Sequence, residues 1–374
     1  MDRKASPFVK RNKCVWKRSR FNERSWPVKQ ITYVGLDVHK NSIMAAIGPV
    51  RSKAESMKVT NDLKGWNRLA ERLKELEAQA VYEASSCGFE VYDELTARGW
   101  SVVVVAPSHL AKSAKERKNK TDLKDALDLR GRLMAARETG AFLPTVWIPP
   151  QQVREDRELV RRRLKLGERV SEVKSSILNL LQIHKMHTPE GMKATWTQIH
   201  RDWLSSLCGP KGKLGSPVKR ALESQLRELE FLIGEEKELE KELEALAEEP
   251  RHQAQAKAIM KVKGVGTLTA LTFLTELGDV TRFRNRRQLA SYLGLTPSCH
   301  ESGEADDRKG HITRMGPARV RKVLNQAAWS HVRYEPEAKK QFGRLAKRRG
   351  AKKAIVAEMR KLGIELWHRA VEVA

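Results

Sequence analysis

Between Arg154 and Leu181, apolar residues fall at Leu166, Val170, Val173, Ile177 and Leu180, in alternating steps of four and three. Only a long helix with a single apolar seam accommodates that spacing. A second seam runs through Leu222, Leu226, Leu229 and Leu232, then Leu239, Leu243 and Leu246, with a phase irregularity near Gly234. Both are short for a free-standing coiled coil, so they pair with each other or with another protomer. The intervening "HKMHTPEGMKATWTQIHRDWLSSLCGPKGKLGSP" is broken by Pro and Gly, and no fold is read from it. A helical arm over residues 149–255 therefore separates two ends that must fold by other rules.

Before the arm, the patterns are those of a layered α/β domain over residues 31–148. "ITYVGLDVHKNSIMAAIG" reads as strand, tight "HKN" turn and strand, and "AESMKVT" as a third strand. "NDLKGWNRLAERLKEL" has helical spacing at Leu63, Trp66, Leu69 and Leu73, with Asn61 or Asp62 as the cap. "AQAVYEASSCG" is a short strand ending at Glu83. A helix from Cys87 to Arg98 and a fully buried strand, "WSVVVVAP", follow. From Thr121, a cap, a further helix begins, and Asp122 and Asp125 project from one face. Alone, such a row is a solvated helix face. As a set, Asp37 and Glu83 at strand ends plus the helical pair give four carboxylates that a sheet can bring together. Grouped carboxylates repel unless cations neutralise them, and hard oxygen donors suit Mg²⁺ or Mn²⁺.

The charge balance points the same way. Lys and Arg number 72 against 46 Asp and Glu, a formal net charge of +26. Such a surplus implies a polyanionic partner, nucleic acid before anionic membrane. No apolar run reaches a membrane span, and the first 30 residues, with ten basic and two acidic side chains, have no apolar core of a secretory signal. That arm reads equally as a solvated tail or a nucleic-acid contact. Cys14, Cys87, Cys208 and Cys299 are too scattered for a zinc knuckle and read as free thiols in a reducing, cytoplasmic compartment. His184 and His187 have no companion metal ligands in sequence.

After the arm, over 256–335, "IMKVKGVGTLTALTFLTELGD" places Gly264 and Gly266 between two apolar helices. This is a helix-hairpin-helix pattern, in which backbone N–H groups and a helix N-terminus hold a phosphate, or a plain helical hairpin. Arg282, Arg284, Arg286 and Arg287 cluster beyond it. "PARVRKVLNQAAWSHV" is an amphipathic helix starting at Pro317 with Arg319, Arg321 and Lys322 exposed. A basic helical tail, 336–374, contains the acid-free run Lys339–Lys353. Between these lies "HESGEADDRKGHITRMG", a polar loop in which Ser302 is either a turn residue or a nucleophile. Arg308, Lys309 and Arg314 are near enough in sequence to hold a phosphate. Ser298, after Pro297, is read as a turn.

The motifs "YVGLDVHK", "VYEASSCG" and "NKTDLKDA" resemble the RuvC-type branch of the ribonuclease-H-like fold, specifically the DEDD transposases of the IS-one-ten family of bacterial insertion sequences. "YLGLTPSCHESG" with "GHITRMGPARVRKVL" resembles that family's C-terminal transposase domain, with His300 where the family usually has Tyr. The resemblance implies that Asp37, Glu83, Asp122 and Asp125 bind Mg²⁺ or Mn²⁺ and that Ser302 attacks a DNA phosphate. It implies donor and target DNA, a structured guide RNA and a homo-oligomer, dimer or tetramer, in which one protomer's serine completes another's metal site. It also implies a bacterial, nucleoid-associated location. A RuvC-like junction endonuclease with Ser302 structural is the competing reading, and a non-catalytic nucleic-acid-binding protein the third.

Overall fold

The computed structural model describes residues 31–374 apart from 51, 75, 111–120, 193–194, 211 and 303–304, and not the side chains of 299–309. The expected N-terminal basic arm and Cys14 lie outside the described residues. The chain divides into two compact units, Met1–Ile148 and Pro149–Ala374.

The first unit is a mixed five-stranded sheet in the order β3-β2-β1-β4-β5, built from β1 (Thr32–Val38), β2 (Ser42–Pro49), β3 (Glu55–Thr60), β4 (Ala78–Glu83) and β5 (Ser101–Val105). β1 pairs antiparallel with β2 and parallel with β4, so it is central. One face, with Val34, Leu36, Ile43, Ala80 and Tyr82, packs on α1 (Leu63–Leu73) and α2 (Glu90–Ala97) through Trp66, Leu69, Leu73, Val91 and Leu95. Asp62 caps α1 by accepting from the Gly65 amide at 2.8 Å. The other face, with Tyr33, Val81 and Val105, packs on Leu129 and Leu133 of α3 (Asp122–Thr139). The expectation of a fully buried last strand is corrected: β5 is a sheet edge, and only Val104 and Val105 at its C-terminal end are buried.

The second unit begins with the arm. α4 (Gln151–Ile183) and α6 (Ser216–Glu248) pack along their seams, joining Leu166, Val170, Val173 and Ile177 to Leu222, Leu229 and Leu232. The two seams thus pair within one chain. Arg163 fastens them by ion pairs to Glu236 at 2.7 Å and Glu240 at 2.5 Å. The segment without an assigned fold contains α5 (Gln198–Cys208), whose Leu204 and Leu207 close the same core.

The remaining helices form one larger core. They are α7 (Pro250–Met260), α8 (Thr267–Leu277), α9 (Arg286–Tyr292), α10 (Ala318–Tyr334), α11 (Pro336–Arg349) and α12 (Ala351–Val371). α12 does not behave as a tail: Ile355, Met359, Leu362, Leu366 and Trp367 are buried against Phe273, Val320 and Leu324. The basic residues of its sequence neighbourhood conceal an apolar stripe. The polar "HESGEADDRKGHITRMG" is likewise not a loop. It folds largely as a hairpin of β6 (Pro297–Ser302) and β7 (Ala305–Ile312), with a register irregularity between His300 and Ser302. No apolar period of two marks it, because nearly all of its residues are polar.

Candidate active site

Asp37 owes its surroundings to Gly35. A methyl group there would stand 1.9 Å from the Ala126 carbonyl oxygen and 2.6 Å from the Arg130 amide, so only glycine lets α3 lie directly on β1. The helix runs against the strand direction. Tyr33 donates to Glu138 at 2.6 Å near the far end of the helix, and Arg130, 7% exposed, donates to the Gly48 carbonyl at 2.9 Å. Two strand residues advance about 6.6 Å and four helical residues about 6 Å. Contact between Gly35 and Ala126 therefore carries Asp37 and Asp122 to the same level. Thr121 caps the helix there, accepting from the Lys124 amide at 3.3 Å.

Asp37 and Asp122 do meet, with His39 between them. His39 Nε2 lies 3.1 Å from Asp37 Oδ2 and 3.5 Å from Asp122 Oδ1. One donor atom from each of the three residues falls within 4.8 Å of the others, and this is the metal-competent group found among the described residues. Glu83 ends β4, one step past the Leu36–Tyr82 pair of the parallel ladder, which sets it beside Asp37. Asp125 is half-buried on the next turn of α3. Burial pushes the Asp37 carboxyl above the usual range, the His39 contact works against that, and the Asp125 and Asp122 charges add to the rise. Carboxylate oxygens gathered in this way are hard donors, and they fit a hard divalent cation.

His39 was not among the expected site residues. The "HKN" turn was read only as a connection, although an imidazole two residues beyond a strand-end Asp falls on the same side as that Asp. Its place is fixed by the backbone. The His39 amide donates to the Ser42 carbonyl at 2.9 Å. Its carbonyl accepts from Asn61 Nδ2 at 2.9 Å, and Trp66 Nε1 holds Asn61 Oδ1 at 2.9 Å. Asp128 turns elsewhere, to Arg132 at 2.8 Å.

In the second unit, Ser302 is the last residue of β6, paired with Ala305, while His300 pairs with Arg308 and Cys299 with Lys309. The side chains of Ser302, Arg308 and Lys309 lie outside the described residues. Ser298 is in the strand rather than a turn, and its hydroxyl donates to the His311 carbonyl at 3.0 Å. Arg314 is exposed with φ 55°, where the hairpin rejoins the helices. Arg321 is not an exposed contact. Its guanidinium donates to the Leu293, Met315 and Gly316 carbonyls at 3.1, 3.1 and 3.2 Å, clamping the hairpin base. Arg282 also turns inward, over Phe283 and Tyr292 with its carbon 4.2 and 4.6 Å from the ring centres. Arg284, Arg286 and Arg287 are exposed and make no ion pair to any described residue. Arg319 is half-exposed, 4.0 Å from Glu276.

Gly264 and Gly266 sit in the turn between α7 and α8 but differ. Gly264 has φ 91°, and a methyl group there would press on the His331 amide at 2.7 Å, so it serves close packing against α10. Gly266 is exposed with open space around it at the start of α8. Of the two, it is the one a phosphate can approach.

Two family profiles match the chain. One described as "Transposase" matches residues 34–186, and one described as "Transposase IS116/IS110/IS902 family" matches 256–343. Putative transposase y4qE of Sinorhizobium fredii is 31% identical over 258 residues, 68% of this chain and 58% of that protein. Putative transposase y4rJ of the same organism is 30% identical over 310 residues, covering 77% of this chain and 75% of that protein. The transposase for insertion sequence element IS1111A of Coxiella burnetii is 26% identical over 295 residues, 77% of this chain and 76% of that protein.

Proposed function

The chain belongs to the IS116/IS110/IS902 family of transposases, and from that premise we propose that it cuts and rejoins DNA by transesterification at Ser302. The observation that supports this most is the meeting of Asp37 and Asp122 around one point, with Glu83 in adjacent register. Asp37, Glu83, Asp122 and Asp125 are the residues that would hold Mg²⁺ or Mn²⁺. Such a cation, when bound, supplies positive charge to the scissile phosphate and the leaving oxygen.

In the proposed step, Ser302 Oγ gives up its proton to solvent and bonds to phosphorus. The bond from phosphorus to one deoxyribose oxygen breaks, and that oxygen takes up a proton as a free hydroxyl. One phosphate ester replaces another, so the reverse attack rejoins strands without ATP. Arg308, Lys309 and Arg314 offset the phosphate charge during the transfer. Gly266, Arg284, Arg286, Arg287 and Arg319 hold the DNA backbone or a structured guide RNA. On the outer face of α11, Lys340, Arg344, Lys347 and Arg348 follow helical spacing, are exposed, and make no ion pair to a described residue. They extend the same polyanion surface. Gly264 and Arg321 are left to packing. The carboxylates and the serine belong to different compact units. By the family resemblance, the reading includes a homo-oligomer in which one protomer's serine completes another's metal site.

The test is a reconstituted reaction with DNA carrying the element's own ends and the transcript beside the gene. We expect a protein–DNA adduct stable to denaturation, absent in Ser302→Ala and dependent on the transcript. An adduct that persists in Ser302→Ala refutes the serine assignment. Cleavage by Ser302→Ala to free ends indicates the hydrolytic junction endonuclease instead, and an adduct formed without the transcript refutes RNA guidance.

A further inference from the structure

Oxygen donors alone would make this a site for Mg²⁺, but the group nearest the carboxylates is an imidazole. We propose that His39 is a metal ligand through Nε2, which makes the centre formed with Asp37 and Asp122 one that takes Mn²⁺ or Co²⁺ in preference to Mg²⁺. The inference rests on the proposed cation site and adds a ligand to it. Three observations lead there.

The first is spacing. Two ligands about 2.1 Å from an octahedral ion lie about 3.0 Å apart along an edge. His39 Nε2 is 3.1 Å from Asp37 Oδ2 and 3.5 Å from Asp122 Oδ1, and all three donor atoms lie within 4.8 Å of one another, close enough to share one ion. The second is fixation. Both backbone polar groups of His39 are hydrogen-bonded, the amide to Ser42 and the carbonyl to Asn61, and Asn61 is held by Trp66 from the hydrophobic face of the sheet. A turn residue needed only for the connection requires no such chain of support. The third is access: the His39 and Asp122 side chains are 47% and 45% exposed against 16% for Asp37, so an ion can reach the group from solvent past both. A ring bound through Nε2 carries its proton on Nδ1. Borderline nitrogen donors favour Mn²⁺ and Co²⁺ over Mg²⁺, which prefers carboxylate and water. With the competing reading, a plain Asp–His ion pair, the ring swings away when a cation enters.

The experiment uses the full chain loaded with Mn²⁺, with pulsed electron paramagnetic resonance to detect ¹⁴N coupled to the ion and titration to obtain affinities. Wild type should bind Mn²⁺ with ¹⁴N modulation. His39→Ala should lose the modulation and about tenfold of its Mn²⁺ affinity while Mg²⁺ affinity changes less than about twofold. Asp122→Asn should lose binding of both ions. Mn²⁺ that binds through Asp122 yet shows no ¹⁴N modulation overturns the inference and leaves the carboxylate site standing. Modulation that survives in His39→Ala also overturns it. Mn²⁺ uptake that ignores Asp122→Asn overturns the cation site itself and the inference with it.

Discussion

A methyl group on Gly35 would lie 1.9 Å from the Ala126 carbonyl oxygen, a helical backbone atom that cannot swing aside. Gly35→Ala must therefore lift α3 from β1. Overpacking of this kind costs about 1–3 kcal/mol. The larger consequence is local, because Asp122 is carried by the helix and Asp37 by the strand. We expect Gly35→Ala to lower the melting temperature modestly and to abolish high-affinity Mn²⁺ uptake in the still-folded chain. Calorimetry with a parallel metal titration checks both. Uptake equal to wild type would mean that the helix does not set the site. Among single residues, Arg321 shows the limit of reading exposure from a helical pattern. Its position on α10 is peripheral, yet three backbone carbonyls at the hairpin base capture its guanidinium.

At the scale of elements, the arm joins the C-terminal core through a compact polar knot. Asp156 on α4 accepts from Arg251 at 2.9 Å and from His252 at 2.7 Å, both on α7. Burial pushes the Asp156 carboxyl up, but the Arg251 and His252 hydrogen bonds outweigh it and hold the group below its ordinary value. A depressed carboxylate contributes stability above its unfolded pKa, about 3.9, and loses that contribution as pH falls through the lower folded value. Asp156→Asn should therefore cost about 3–5 kcal/mol near neutrality. The gap to wild type should close in acid below about pH 4. Denaturant melts of the two proteins from pH 7 to pH 3 measure it, and a gap independent of pH contradicts the account. The sequence made these long helices legible because a seam of Leu and Val at steps of three and four has one solution. The hairpin at β6 and β7 was not legible. Its sequence is almost entirely polar, so no hydrophobic alternation marks it, and Ser298, expected in a turn, lies in β6. α12 hid for the opposite reason: its approach through Lys347–Lys353 is so basic that the buried stripe from Ile355 to Trp367 reads as a continuation of a tail.

For the whole molecule, the sequence pointed to the carboxylates, and the structure brings Asp37 and Asp122 together with His39. Asp37, Glu83, Asp122 and Asp125 could be named from strand-end and helical positions together with the family resemblance, and the sheet order β3-β2-β1-β4-β5 makes the strands of the first two neighbours. His39 could not, because only the packing of α3 on β1 brings the HKN turn up to Asp122. The net charge of +26 suits a polyanion drawn in by long-range attraction. Among the described residues, no helix is long and apolar enough to cross a membrane.

If the carboxylates at the end of β1 drive DNA strand cleavage, as proposed, neutralising one of them must slow it. The most direct measurement is the single-turnover cleavage rate of Asp122→Asn against wild type, on the same DNA and with matched circular dichroism spectra. The account predicts a fall of about 10³-fold, the scale of losing a preorganised electrostatic group at a transferring phosphate. A rate within about threefold of wild type, less than a kcal/mol in the barrier, would contradict it.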